Sequence, residues 1–315
     1  MDNLIFSLNA TIPIFLVMVA GYVFRRMKMM DDSFVKTLNS FNYKITLPVL
    51  LVVDIAEADF YAVWDTGFVV YCFGVTLFCI LAISALSPLL VRDKSIRGEF
   101  IQASYRGSAA VLGVAFIQNI YGSSLIAPLM ILATVPLYNV AAVLVLSFTA
   151  PDSNGFDKEG LKRSFRGILT NPIIIGIFVG MVISVMRLNM PVIVSKTLHN
   201  LAQLATPLAL IGLGAGFEGK KALSKMKPTI ISTLIKLFVM PALFLPVAAY
   251  LGFRDEKMVA ILIMLGAPTT VSCYIMSQNM GHEGVLSSSS VVSTTFLSAV
   301  FITLWLYVLK SFQLI

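Results

Sequence analysis

Tyr105-Arg106-Gly107-Ser108-Ala109 lies inside an apolar run over 100–119. A cation, a glycine and small polar side chains stand where a membrane helix is ordinarily uniformly apolar. A charge near the bilayer centre costs roughly 2.5–3.5 kcal/mol on insertion scales. A glycine weakens a helix by about 1 kcal/mol relative to alanine. Both defects at one depth predict an interrupted helix whose freed backbone groups face a cavity.

The rest of the chain supplies the membrane around that stretch. Hydrophobic residues make up 58% of the 315 and charged residues 12%, and the mean hydropathy is +0.89. Soluble domains carry about 25% charged residues. An all-α integral membrane protein is therefore expected. At about 20 residues per span, roughly ten helices fit. The expected spans are 4–24, 37–56, 67–91, 100–119, 124–148, 168–186, 200–217, 229–251, 258–278 and 285–309. The acids Asp54, Glu57, Asp59 and Asp65 are assigned to the loop after the second span. The net charge of +7 does not imply nucleic acid, because the basic residues fall in interhelical loops. Cys72, Cys79 and Cys273 lie in apolar runs without metal or disulfide spacing, so neither a metal nor a cofactor is expected.

Charge sets the orientation. Arg25, Arg26 and Lys28 follow the first span and only Asp2 precedes it, which reads as an uncleaved helix with its amino end outside. On that assignment the inner loops hold 15 Lys or Arg and the outer segments 5. The bias fits ten spans with both termini extracellular in a multi-pass cell-membrane protein.

Sliding the chain on itself by 159 residues places Pro13 on Pro172, Gly21 on Gly180, Pro48 on Pro207 and Gly107 on Gly266. These residues have the least replaceable backbone geometry. The division is then a first five-helix repeat over 1–148, a cytoplasmic linker over 149–167 and a second repeat over 168–315. Five is odd, so the second copy enters from the opposite side, giving an inverted repeat. Broken span four falls on span nine, where Gly266-Ala267-Pro268-Thr269-Thr270 interrupts the apolar run. Two such breaks, crossing, present helix amino termini and unpaired N–H donors to one spot. With Arg106, and with Lys236 in the interior of span eight, the spot suits a small organic anion, most simply a carboxylate.

These residues resemble the auxin efflux carrier family of membrane transporters. The resemblance runs through Leu47-Pro48, Arg106-Gly107, Thr206-Pro207-Leu208 with Gly212, Gly214 and Gly216, then Lys236, Pro241 and Gly266-Ala267-Pro268. It implies a fold related to the bile acid/sodium symporters, with spans one, two, six and seven as scaffold and three to five with eight to ten as transport domain. It also implies that Arg106, Gly107, Ser108, Pro268, Thr269, Thr270 and Ser272 line the crossover, with Ala109 and Gly266 beside them. Sodium-coupled relatives place an ion near the position of Lys236, so the lysine is expected to brace the crossover as a fixed cation. Pro48 and Pro207 have structural roles. This chain departs from the family's pattern in having Ser108, where Asn is common, and no proline near Gly113.

Several residues keep a plain reading beside the functional one. Arg106 lies about 9 Å into its span and could snorkel to the interface. Asn139 faces either the cavity or a neighbouring helix. Gly212, Gly214 and Gly216 read as close-packing surfaces. His199 and His282 are placed at span ends, in solvent or headgroups.

The expected function is secondary-active efflux or exchange of small organic anions by alternating access. Proton- or sodium-coupled carboxylate uptake is the alternative within transport, and a non-transporting sensor or receptor is the alternative outside it. An enzyme is disfavoured because the deep titratable residues read as cations only. The expected partners are the anion, the lipid bilayer and a second copy through the scaffold helices.

Overall fold

The computed structural model describes residues 2–57, 64–109, 117, 118, 120, 121, 126–150 and 169–315. Most of span four after Ala109, most of the linker, the first residues of span five and Asp59 lie outside them. The described residues are helical, with one isolated antiparallel bridge.

Helix α1 is Asp2–Arg26, followed by α2 (Asp32–Phe41) and α3 (Leu47–Ala56), then α4 (Thr66–Leu90), α5 (Arg97–Tyr105) and α6 (Ala127–Thr149). The second half contains α7 (Pro172–Val185), α8 (Val192–Ala215), the short α9 (Gly219–Ser224), α10 (Met226–Leu234) and α11 (Met240–Tyr250). It ends with α12 (Asp255–Gly266), α13 (Ser272–Asn279) and α14 (Val285–Ser311). Among the described residues, four helices are long and apolar enough to cross a membrane: α4, α6, α14 and the continuous Met226–Tyr250.

Local sequence explains the starts. Asp31, Asp65 and Asn171 cap α2, α4 and α7, each side chain accepting a hydrogen bond from a first-turn amide. Two spans carry a one-turn widening, Asn42–Thr46 between α2 and α3 and Ile235–Val239 between α10 and α11. Each precedes a proline by one or two residues, Pro48 and Pro241. A proline has no N–H for the carbonyl four residues back, so the ladder shifts to the wider spacing. The carbonyl left by Pro241 belongs to Leu237, and the Trp305 indole donates to it at 3.0 Å.

Asp54 is corrected by this arrangement. It belongs to α3 rather than to the following loop, because the apolar face of α3 packs along α7 as far as Ile55, which Gly180 approaches.

Two seams are built on glycine. Helix α1 runs along α8, and α3 along α7. A methyl group on Gly214 would overlap the Met18 carbonyl, and one on Gly21 the Ile211 carbonyl. One on Gly176 would come within 2.6 Å of the Pro48 carbonyl oxygen. Gly212 and Gly216 likewise face Asn39 and the Tyr274 hydroxyl, in keeping with their reading as close-packing surfaces. Small residues are how membrane helices bring backbones together. Gly214→Ala should therefore destabilise the protein by about 1–3 kcal/mol through overpacking. Gly74 has nothing within 4 Å of an added methyl. Gly74→Ala should be neutral or stabilising by up to about 1 kcal/mol. Thermal melts of the two variants in one detergent check the pair.

Ion pairs tie the ends of the spans. Lys257 meets Asp65 at 2.5 Å, and Lys225 meets Asp93 at 2.7 Å. The Lys257 hydrogen bond holds the Asp65 carboxyl below its ordinary value, and the Lys225 hydrogen bond draws Asp93 down to about 2. Depressed carboxyl values stabilise the fold above the ordinary 3.8 and lose that contribution as pH falls through the folded values.

Candidate functional site

Helix α5 stops at Tyr105 and α12 stops at Gly266. The next residues, Arg106 and Ala267, are extended, with ψ of 124° and 150°. Gly107 then pairs with Thr269 in the isolated antiparallel bridge, and the Ser108 amide donates to the Pro268 carbonyl at 2.8 Å. The two interruptions therefore meet. Thr269 pins the junction twice more: its hydroxyl donates to the Ala103 carbonyl at 2.8 Å, and its amide donates to the Thr294 hydroxyl at 2.9 Å.

Two helix carboxyl ends converge here, each with unpaired carbonyls and a partial negative charge. Lys236 supplies what they lack. Its ammonium is fully buried and donates to Tyr105 O at 3.2 Å, Met264 O at 3.1 Å and Leu265 O at 2.7 Å. An ammonium has three hydrogens, and here three carbonyls take them. Gly107 leaves the room, since a methyl group there would come within 2.9 Å of the lysine nitrogen.

Arg106 is the second buried cation, only 2% exposed, so it does not snorkel to the interface. Its Nη2 donates to Asn139 Oδ1 at 2.6 Å and to Ser272 Oγ at 2.9 Å. Its Nη1 lies 2.8 Å from Met276 Sδ and 3.5 Å from Gln102 Oε1. Its Nε has no partner among the described residues. No carboxylate pairs with Arg106 among those residues either. A buried cation without a counter-charge is unfavourable unless an anion arrives.

The guanidinium borders a cavity of about 110 Å³. Its polar wall is Arg106, Gly107, Ser108, Tyr138, Asn139, Pro268, Thr269, Thr270, Ser272 and Thr295. The opposite wall comes from other helices: Leu47, Leu51 and Asp54 of α3, Ile173 of α7 and Thr206 and Ala209 of α8. The start of α13, at Ser272, adds helix amide donors next to the guanidinium.

Most of the residues expected at the site are thus brought together. Ala109 and Gly266 are not among the lining residues. Ala109 is fully buried in the apolar core, and Gly266 closes α12 against the ring of Pro241. Pro48 lies at the α3–α7 seam and Pro207 inside α8, one residue from the lining Thr206. Asn139 does both things weighed for it: it lines the cavity and binds Arg106, while its amide donates to the Val135 carbonyl at 2.9 Å.

Three buried groups were not anticipated. Glu99 is fully buried and accepts from the amides of Gly284 and Ser287 at 2.9 and 2.8 Å, at the amino end of α14. Gln102 donates to the Cys273 carbonyl at 3.0 Å and the Ser277 hydroxyl at 2.7 Å. His282 is 5% exposed and packs between Leu146 O and Ser95 O rather than in headgroups. The signal for the first two was present: Glu99, Gln102 and Arg106 are spaced three and four apart, hence on one face of a helix.

Two comparisons bear on this geometry. A family profile described as "Membrane transport protein" matches residues 6–306. A protein of Rhizobium meliloti (strain 1021), described as a "Putative malonate transporter", is 23% identical over 314 residues, covering 95% of each chain. Family and relative are transporters, not enzymes. With the match running through nearly the whole sequence, the chain belongs to the auxin efflux carrier family of membrane transport proteins.

Proposed function

We propose that the protein is a secondary-active carrier of small organic anions such as carboxylates, working by alternating access. The observation that carries this reading is the Arg106 guanidinium, buried at the junction without a counter-ion among the described residues and bordering a cavity with Asn139, Ser272 and the start of α13. A carboxylate there gains charge-assisted hydrogen bonds that no resident group supplies. The relative's description as a "Putative malonate transporter" favours dicarboxylates within that class.

The architecture that serves it is ten membrane helices in two inverted five-helix repeats. The offset of 159 supports this. It carries α4 onto 225–249, close to Met226–Tyr250, and α5 onto 256–264, inside Asp255–Gly266. Helices α1, α2–α3, α7 and α8 form the scaffold, and the crossing with α4, α6, α10–α11 and α14 forms the moving part. The cavity lies between the two sets. Lys236 holds the crossing as a fixed internal cation. The carrier sits in the cell membrane with both termini outside, and the scaffold helices offer a face to a second copy.

Counterflow in proteoliposomes, with a panel of radiolabelled mono- and dicarboxylates, tests the reading. Exchange of at least one of them is expected. Uptake of neutral or cationic solutes alone would remove the anion assignment. Single cysteines at Asp59 and Ser153 should label from opposite sides of the bilayer.

A further inference from the structure

We propose that Asp54 is a proton site that couples each anion's crossing to a proton moving in the same direction. The inference rests on the carrier reading above. Asp54 lines the cavity that Arg106 borders, but from the α3 wall. It is the one carboxylate among the described lining residues. No ion pair to it forms among the described residues; its neighbour Glu57 is engaged with His199 at 3.0 Å.

Few other charges face it. Helix α7, packed along α3, contains no ionisable side chain. Helix α8 contributes His199, already bound to Glu57 and to the Ser195 carbonyl, while Lys196 is exposed. On α3 itself and in the described residues just after it, the further acid is Glu57, and Asp59 follows outside the described residues. Across the cavity stands Arg106.

Charge balance then dictates the coupling. With the cavity empty, an ionised Asp54 and Arg106 sum to zero. An arriving carboxylate takes the guanidinium, and an ionised Asp54 would then face a second negative charge across a small, largely apolar space. Like charges sharing such a site push one of them to take up a proton. A water-borne proton binds a carboxylate oxygen of Asp54 as the anion enters. The same proton returns to water on the far side when the anion leaves. For a monocarboxylate the loaded cavity is again neutral; for a dicarboxylate the excess is one charge instead of two.

The test uses the full-length protein in proteoliposomes at zero membrane potential, with malonate as probe and a pH-sensitive dye in the lumen. An alkaline lumen should drive malonate accumulation, with a ceiling of about tenfold per pH unit for one proton per anion. Asp54→Asn mimics the protonated state, so it should retain malonate exchange and lose both the accumulation and the dye signal. Asp54→Glu should restore them, and Glu57→Gln should leave them in place. Coupling that survives in Asp54→Asn overturns the inference, as does its loss in Glu57→Gln. Loss of exchange in monodisperse Asp54→Asn and Asp54→Ser also overturns it, because those variants stand for the loaded form. Wild-type vesicles that exchange no carboxylate overturn the carrier reading, and this inference with it.

Discussion

Replacing Lys236 with methionine is expected to cost about 2–4 kcal/mol of stability and to abolish transport. Methionine fills nearly the same space but donates nothing. Tyr105 O and Leu265 O then lose the donor that Lys236 gives them, while Met264 O keeps the Tyr138 hydroxyl at 3.3 Å. Each buried acceptor left without a donor costs about 1–3 kcal/mol. The two helix carboxyl ends also lose the cation that balances their dipoles. Against this, the variant no longer buries an ammonium, which trims the total. Lys236→Arg should not rescue it, since the larger head meets the Gly107 backbone where even a methyl group lies 2.9 Å from the nitrogen. A melting temperature within a degree of wild type, or full transport by Lys236→Ala with no sodium added, would rule out the brace.

Arg106→Gln should behave in the opposite way. Affinity for the transported anion should fall by roughly a hundredfold to a thousandfold, the order expected when one partner of a buried charge pair is removed. Stability should hold or rise slightly, because the wild-type guanidinium is buried with an unpartnered Nε and no counter-ion among the described residues. Glutamine can still donate to Asn139 Oδ1 or Ser272 Oγ. Binding titrations and melts on the same preparation decide the matter. Unchanged anion affinity would take Arg106 out of the site. Equal losses of stability and affinity would make it a structural residue like Lys236. The contrast follows from what surrounds each cation: three carbonyls saturate Lys236, while Arg106 is left with unused capacity.

Much of this was legible in the residues. The membrane class follows from hydropathy, and both interruptions follow from residues that cannot continue a helix unaided, Gly107 and Pro268. The depth of Lys236 in an apolar run drew attention to it, and its expected role as a brace came from the resemblance to sodium-coupled carriers. Asp54 was misplaced because it opens an acidic series with Glu57 and Asp59, which reads as a chain leaving the membrane. Helix α3 runs on because its apolar neighbours Val53 and Ile55 are buried. The spacing of Glu99 and Gln102 with Arg106 marked a shared helix face, but the burial of the Glu99 carboxylate depends on partners far along the chain. For Glu99 these are the Gly284 and Ser287 amides, and periodicity within α5 does not reveal them.

The Gly107–Thr269 bridge has a mechanical consequence. It is a scrap of sheet riveting two broken rods through their main chains, with threonine hydroxyls as extra bolts. A joint fastened this way does not fold at its own centre. On the carrier reading, Arg106, Lys236 and α13 travel as one block, and slippage falls along the wall that carries Asp54. Anion and proton would then ride on opposite banks of the sliding surface.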